Sequence, residues 1–161
     1  MGTYKEIEGD LISLSLQGNF DVIAHGCNCF CTQGAGIAKQ MSEVFDTNNF
    51  RKYPQEMPML RGDINKLGRI GYREYSKFIN DEIIHPRVVV VNAYTQYEPG
   101  ANLDYEALTI CLRKMNHVFK GMHIGLPQIG AGIAGGDWER IKVIIQQELK
   151  NCNVTVVIYN K

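Results

Sequence analysis

Short apolar segments rich in β-branched residues alternate along this chain with longer amphipathic segments, and this alternation most constrains the fold. The continuous apolar run at residues 87–93 is typical of a central strand that is covered on both faces. Apolar residues recur at helical spacing in residues 35–45, 105–119 and 138–149. Strands that alternate with helices predict an α/β fold, in which a mostly parallel sheet lies between two helical layers.

Further short strands are predicted at residues 5–8, 21–24, 68–75, 82–84, 124–129 and 154–159. Residues 46–62 contain two prolines and mixed charge, and they predict a loop or a short irregular helix. Gly121 is expected to end the second helix, and Asp137 is expected to cap the third helix at its N-terminus. Because no repeat, low-complexity tract or linker divides the chain, we expect a single domain over residues 1–161.

The charge balance and the apolar runs exclude several classes of partner. Seventeen Lys and Arg residues balance seventeen Asp and Glu residues, so no broad basic surface for duplex nucleic acid is expected. The longest apolar runs are too short to span a bilayer, and Met1 is not followed by the apolar segment of a signal peptide. We therefore expect a cytoplasmic protein without a membrane partner.

Five cysteines occur, and their odd number in a chain without a secretory signal predicts free thiols. Cys27, Cys29 and Cys31 are separated by single residues, whereas common zinc sites use two to four intervening residues. No second pair of ligands follows them. We therefore expect neither a metal site nor a cofactor.

Two glycine-rich connections follow predicted strands and open predicted helices. The first glycine loop is residues 32–37 and the second glycine loop is residues 130–136. Such loops lie at the carboxyl ends of strands in an open α/β sheet, and their amides with a helix N-terminus attract phosphate. The alternative is that these glycines only form tight turns. Together the loops predict a diphosphate site, with these candidate residues: Gly34, Ala35, Gly36, Ile37, Gly130, Ala131, Gly132, Ile133, Ala134 and Gly135.

Neither loop has the pattern of a P-loop or of a dinucleotide-binding fingerprint, which disfavours ATP hydrolysis and hydride transfer. His25 and Asn28 precede the first glycine loop and are the candidate catalytic residues, since imidazole exchanges protons near neutral pH and an amide can orient water. The alternative for His25 is a structural role at a half-buried strand end. Cys27 is a poor candidate nucleophile because its only nearby partner is His25.

Four ordered motifs resemble those of the macrodomain family over nearly the whole chain. They are residues 8–11 (EGDL), 21–28 (DVIAHGCN), 34–38 (GAGIA) and 126–135 (LPQIGAGIAG). The sequence is most similar to the branch of ADP-ribose-1″-phosphate phosphatases and terminal ADP-ribose glycohydrolases. This resemblance implies a three-layer α/β/α macrodomain with a mixed, mostly parallel central sheet.

The resemblance also implies roles for single residues. Asp10 would contact adenine, with Leu11 beside it among the ligand-binding residues, although a turn or capping aspartate is the alternative. The two glycine loops would hold the diphosphate and the distal ribose, and Asn28 would lie at that ribose. Glycohydrolases of this branch use a lysine and a loop acid, and this chain has Gln96 and Ala134 near those positions. Residues 46–86 match the family poorly and receive no role.

These roles imply binding of ADP-ribose and hydrolysis of the terminal phosphate of ADP-ribose 1″-phosphate, with His25 as the leading catalytic candidate. One alternative is a hydrolase that acts on O-acyl-ADP-ribose or on mono-ADP-ribosylated protein. A second alternative is a non-enzymatic reader of ADP-ribose. The expected partners are ADP-ribose, ADP-ribose 1″-phosphate or an ADP-ribosylated protein.

Overall fold

The computed structural model describes residues 2–48, 61–79 and 82–159. The described strands and helices follow one another in an order that alternates for most of the chain: β1 (Thr3–Glu8), α1 (Leu11–Leu16), β2 (Val22–Asn28), α2 (Gly36–Phe45), a short 3-10 helix (Ile64–Lys66), β3 (Ile70–Ile79), β4 (Glu82–Gln96), α3 (Tyr105–Val118), β5 (His123–Leu126), α4 (Trp138–Glu148) and β6 (Asn153–Ile158).

Six strands form one sheet in the order β1-β6-β5-β2-β4-β3. Every neighbouring pair is parallel except β3 and β4, which form an antiparallel pair. Apolar side chains from one sheet face pack with α3 and α4, and those from the other face pack with α1 and α2. The predicted three-layer α/β/α architecture with a mixed, mostly parallel sheet is confirmed.

The central strands place the candidate residues. Strand β2 is buried along almost its whole length and lies between β5 and β4, so its carboxyl end reaches the middle of one edge of the sheet. The glycine loops follow β2 and β5 at that same edge. Parallel strands therefore bring the two loops together, as expected for an open α/β sheet.

Two elements differ from the sequence predictions. Helix α1 was not predicted, because its six residues are too few for the apolar spacing to identify a helix. Residues 82–84 and 87–93 belong to one strand, β4, which continues through Pro86. Its pairing with β2 begins only at Val89, so Pro86 lies where β4 has a single neighbouring strand and a missing amide donor is tolerated.

Other boundaries shift by a few residues. Strand β5 ends at Leu126, before Pro127, rather than at residue 129. Asp137 caps α4 as predicted, since its carboxylate accepts a hydrogen bond from the amide of Glu139 at 3.1 Å. Most of the predicted loop at 46–62 lies outside the described residues. None of the described helices combines the length and the apolar character needed to cross a membrane.

Candidate functional site

A cleft of about 1060 Å³ opens at the carboxyl ends of the central strands. The two glycine loops form its facing walls. The sheet order places Asp10, Leu11 and Tyr159 at its β1–β6 end. It places Asn28 and Gln96 at its β2–β4 end. The cleft therefore lies between the two glycine loops that were predicted to form a diphosphate site.

Most of the predicted site residues line this cleft. The following predicted residues form part of its wall: Asp10, Leu11, Asn28, Gly34, Ala35, Gly36, Ile37, Gly130, Ala131, Gly132, Ile133 and Ala134. Gly135 does not line it. A Cβ on Gly135 would lie 3.0 Å from Ala101 Cβ, and its φ of +76° favours glycine. Gly135 is therefore required for the conformation of the loop and not for contact with the cleft. His25 also lies outside the wall.

Asp10 is a helix cap, which was the alternative role considered for it, and it also lies in the wall of the cleft. Its Oδ1 accepts hydrogen bonds from the amides of Ile12 at 3.0 Å and Ser13 at 3.1 Å, which caps α1. The residue also lines the β1–β6 end of the cleft. The capping interaction fixes the carboxylate at this end, where Oδ2 is left for another donor.

Helix α2 differs at its N-terminus from the other three α-helices that the structure describes. Helices α1, α3 and α4 are each capped by an aspartate side chain, Asp10, Asp104 and Asp137 respectively. The N-cap of α2 is Ala35, which has no side-chain hydrogen bond to offer. The first residues of α2 line the cleft. Their unpaired amides and the positive end of the helix dipole therefore face a space that suits an anion.

The glycines of the two loops fall into two groups. Gly36 and Gly130 have φ values of +61° and +79°, and a Cβ on either would approach a neighbouring side chain to about 3.0–3.1 Å. Gly34 and Gly132 have no such backbone constraint, and an added Cβ would meet no atom of the described residues within 4 Å. Packing and backbone conformation explain the first pair but not the second. Both unexplained glycines line the cleft, where a close-approaching ligand would require them.

Asn28 is held by its own loop. Its Oδ1 accepts hydrogen bonds from the amides of Phe30 at 3.0 Å and Thr32 at 3.3 Å. Its Nδ2 donates to the carbonyl of Thr32 at 3.1 Å and to its hydroxyl at 2.9 Å. These bonds use both lone pairs and both hydrogens of the amide. The predicted catalytic role of Asn28 stays a prediction, because a ligand contact would have to replace one of these bonds.

His25 is fully buried, and its hydrogen bonds determine its tautomer. Asn92 Nδ2 donates to the carbonyl of Thr47 at 2.8 Å, which turns Asn92 Oδ1 toward His25 Nε2 at 2.7 Å. Since Oδ1 can only accept, Nε2 carries the proton. Within the described residues His25 Nδ1 has no hydrogen-bond partner. Burial lowers the pKa of His25 to about 4, although the bond to Asn92 acts in the opposite direction.

These polar contacts close a ring beneath the first glycine loop. Thr47 donates its hydroxyl proton to Gln33 Oε1, and Gln33 Nε2 lies 3.9 Å from Cys27 Sγ. Cys27 Sγ lies 3.6 Å from His25 Nε2, which carries a proton and cannot accept the thiol proton. The geometry therefore argues against a Cys27–His25 nucleophile pair. The ring instead ties β2, β4 and Thr47 to the first glycine loop.

The cleft offers few groups for acid–base chemistry. Of the described residues that line it, three have titratable side chains, Asp10, Cys27 and Tyr159, and none is Lys, Arg or His. All five cysteines are buried, and none forms a disulfide. Burial is the main cause that raises the pKa of Cys29 to about 11. The described part of the chain contains no group of three or more His, Cys, Asp or Glu side chains that could hold a metal ion.

Sequence reasoning missed several residues of the cleft. Thr95, Val157 and Tyr159 line it although no motif in the sequence includes them, and Gln128 lines it although only its motif, residues 126–135, was identified. Trp138 is the first residue of the apolar repeat at residues 138–149, and it both packs against the core and lines the cleft. Tyr105 packs against the same core, stacks with Arg140 at 3.8 Å and accepts a hydrogen bond from the amide of Asp137 at 2.9 Å.

The fold is that of a macrodomain. The chain is similar to the macrodomain of Thermus aquaticus DarG, with a TM-score of 0.71 and 21% identity, covering 98% of this chain and 99% of that one. Thermosipho africanus DarTG in complex with ADP-ribose gives a TM-score of 0.71 at 13% identity, over 98% of this chain and 42% of that one. An Oceanobacillus iheyensis macrodomain with ADP gives 0.66 at 18% identity, over 99% and 85%.

The sequence also has a relative over almost its full length. It is 33% identical over 157 residues to an uncharacterized 17.5 kDa protein of the tk-vs intergenic region of Enterobacteria phage T4, covering 95% of this chain and 94% of that protein. The chain belongs to the same family as this phage protein. No protein-family model matches it.

Proposed function

We propose that this macrodomain-fold protein binds ADP-ribose in the cleft between its two glycine loops. The observation that carries the proposal is the pair Gly34 and Gly132, which face the cleft although neither their backbone conformation nor packing against the described residues requires glycine there. A ligand that approaches both backbones explains them, because any side chain would occupy its place.

The electrostatics of the cleft support a ligand with a diphosphate. No cationic side chain lines the described wall, so the negative charge would be held by backbone amides and by the uncapped N-terminus of α2. Asp10 offers a carboxylate acceptor at the β1–β6 end, where an adenine amino group would fit. Thermosipho DarTG has been solved with ADP-ribose, and the Oceanobacillus macrodomain with ADP, which supports the same ligand class here.

Isothermal titration calorimetry of the whole chain with ADP-ribose tests this proposal. We expect one saturable site, together with weaker binding of AMP, which lacks the second phosphate. Inorganic phosphate at the same concentrations serves as a control for a non-specific anion site. Absence of ADP-ribose binding at millimolar concentration, or equal binding of ADP-ribose and phosphate, would contradict the proposal.

Hydrolysis of the terminal phosphate of ADP-ribose 1″-phosphate is the second candidate function. One observation favours it, since no carboxylate lines the described β2–β4 end of the cleft to repel a terminal phosphate. The proposed base, His25, is buried and neutral and lies outside the wall, so it would act by holding the ring beneath the first glycine loop. We therefore rank binding above hydrolysis.

Parallel assays separate the candidate activities. Phosphate release from ADP-ribose 1″-phosphate would support the phosphatase, and release of acetate from O-acetyl-ADP-ribose or of ADP-ribose from modified protein would support the other hydrolases. If none of these substrates turns over while ADP-ribose binds, the protein is a reader. A His25→Ala variant that binds ADP-ribose and releases phosphate at the wild-type rate would exclude His25 from any catalytic role.

A further inference from the structure

Strand β4 contains an irregularity beside the cleft. Cys27 of β2 pairs with Tyr94, and the next residue, Asn28, pairs with Gln96, so Thr95 has no partner in the register. Such a bulge changes the direction in which a side chain points, and bulges are common beside functional sites. The carbonyl of Thr95 accepts a hydrogen bond from the amide of Asp104 at 2.9 Å, which holds the bulge in place.

The bulge directs the Thr95 side chain to the floor of the cleft. Thr95 lines the cleft although only 1% of its surface is exposed. A Cβ on Gly26 would lie 2.9 Å from Thr95 Oγ1, so the glycine on the neighbouring strand leaves room for this hydroxyl. The described residues provide no hydrogen-bond partner for Oγ1. Thr95 is almost fully buried but reaches the wall of the cleft, so a ligand in the cleft can complete the hydrogen bonding of this hydroxyl.

The neighbouring side chain of Gln96 adds an acceptor at the same end. Its Nε2 donates to the carbonyls of Glu98 at 2.7 Å and Gly100 at 2.9 Å. Since both partners are carbonyls, the amide orientation is fixed, and Oε1 is the atom left for a ligand. Gln96 also lines the cleft. Thr95 and Gln96 thus present an uncharged hydroxyl and an amide oxygen, a pair that suits the hydroxyl groups of a sugar.

We infer that Thr95 is a specificity-determining residue, which binds a hydroxyl of the distal ribose and makes the cleft select ADP-ribose over ADP. The inference rests on the proposed function. With adenine at Asp10 and the diphosphate between the glycine loops, the second sugar extends toward the β2–β4 end, where Thr95 lies. Because its hydroxyl makes no hydrogen bond within the described part of the chain, we assign Thr95 a role toward this ligand rather than toward the fold.

The test is a Thr95→Val substitution, which keeps the shape of the side chain and removes the hydroxyl. Calorimetry should show about a 3- to 10-fold loss of affinity for ADP-ribose, the effect of one hydrogen bond, and no change for ADP, which lacks the second ribose. The urea midpoint should not fall, since no hydrogen bond within the described protein is lost. Thr95→Ser, which restores a hydroxyl, should recover most of the affinity for ADP-ribose.

Thr155→Val is the matched control, since Thr155 is equally buried, lies outside the cleft wall, and its hydroxyl bonds His123 Nε2 at 2.8 Å. It should lower the urea midpoint and leave both affinities unchanged. Equal losses for ADP-ribose and ADP in Thr95→Val, or no loss for either, would overturn the inference. Wild-type protein that binds both nucleotides equally would also overturn it. Wild-type protein that binds neither would instead overturn the proposed function.

Discussion

Replacing Gly34 or Gly132 by alanine separates the requirements of the ligand from those of the fold. At most glycines in this protein a substitution cannot separate ligand binding from folding, because a positive φ or a neighbouring atom already requires glycine. At these two positions the added methyl group enters open space inside the cleft. Binding and stability should therefore respond differently to the same substitution.

The expected magnitudes follow from this geometry. Without a strained φ or a clash, Gly→Ala reduces the freedom of the unfolded chain and stabilises the fold by roughly 0.4–1 kcal/mol. If the ligand fills the space at Gly34 or Gly132, the methyl group overpacks the complex by about 1–3 kcal/mol. That free energy corresponds to a loss of ADP-ribose affinity of roughly 5- to 150-fold.

Gly121→Ala is a control that should change stability and not ligand binding. An added Cβ there also meets no atom within 4 Å, but φ is +82° and the residue lies outside the cleft wall. Gly121→Ala should cost roughly 1–2 kcal/mol of stability and leave ADP-ribose affinity unchanged. Urea unfolding measures the first quantity and calorimetry the second. Unchanged binding in Gly34→Ala and Gly132→Ala, or losses of binding that track losses of stability, would show that no ligand fills the space at these glycines.

Two further predictions concern the helix α2 N-terminus and the buried imidazole. Ala35→Asp should supply the missing cap and stabilise the protein by about 0.5–2 kcal/mol, while its carboxylate repels the diphosphate. The melting temperature should therefore rise while the affinity for ADP-ribose measured by calorimetry falls. Changes of both in the same direction would count against an anion site. The pKa of His25 is about 4 in the folded protein against 6.5 for the free side chain, so the unfolded state binds more protons between these values. Stability should fall by up to about 3 kcal/mol as pH drops from 6.5 to 4, a loss that urea titrations should find absent in His25→Gln.

Much of the fold was predictable because it depends on local patterns. The apolar spacing identified α2, α3 and α4, and the β-branched runs identified the central strands, since periodicity reports which face of an element is buried. Asp137 identified the start of α4 because a cap needs only the next few residues. Helix α1 was not predicted because its six residues are too few to show helical spacing. Its packing against the sheet depends on other segments of the chain.

The candidate site was predictable as a location and not as a set of roles. Glycine loops at the carboxyl ends of parallel strands had to lie near one another, whatever the details of packing. Which glycines face the cleft and which only shape a loop depends on atoms from other segments. Gly135 approaches Ala101, and Gly130 approaches Leu103, contacts that no local pattern contains.

Periodicity and turn residues act locally, so the sequence alone predicts an α/β architecture with two glycine loops at one sheet edge. The contacts of the polar residues beside those loops depend instead on the tertiary structure. His25 lies beneath the cleft with its proton directed at Asn92, 67 positions away, and Thr95 reaches the cleft floor through a bulge. Strand register sets these contacts, and register is fixed by the packing of the whole sheet rather than by any one segment.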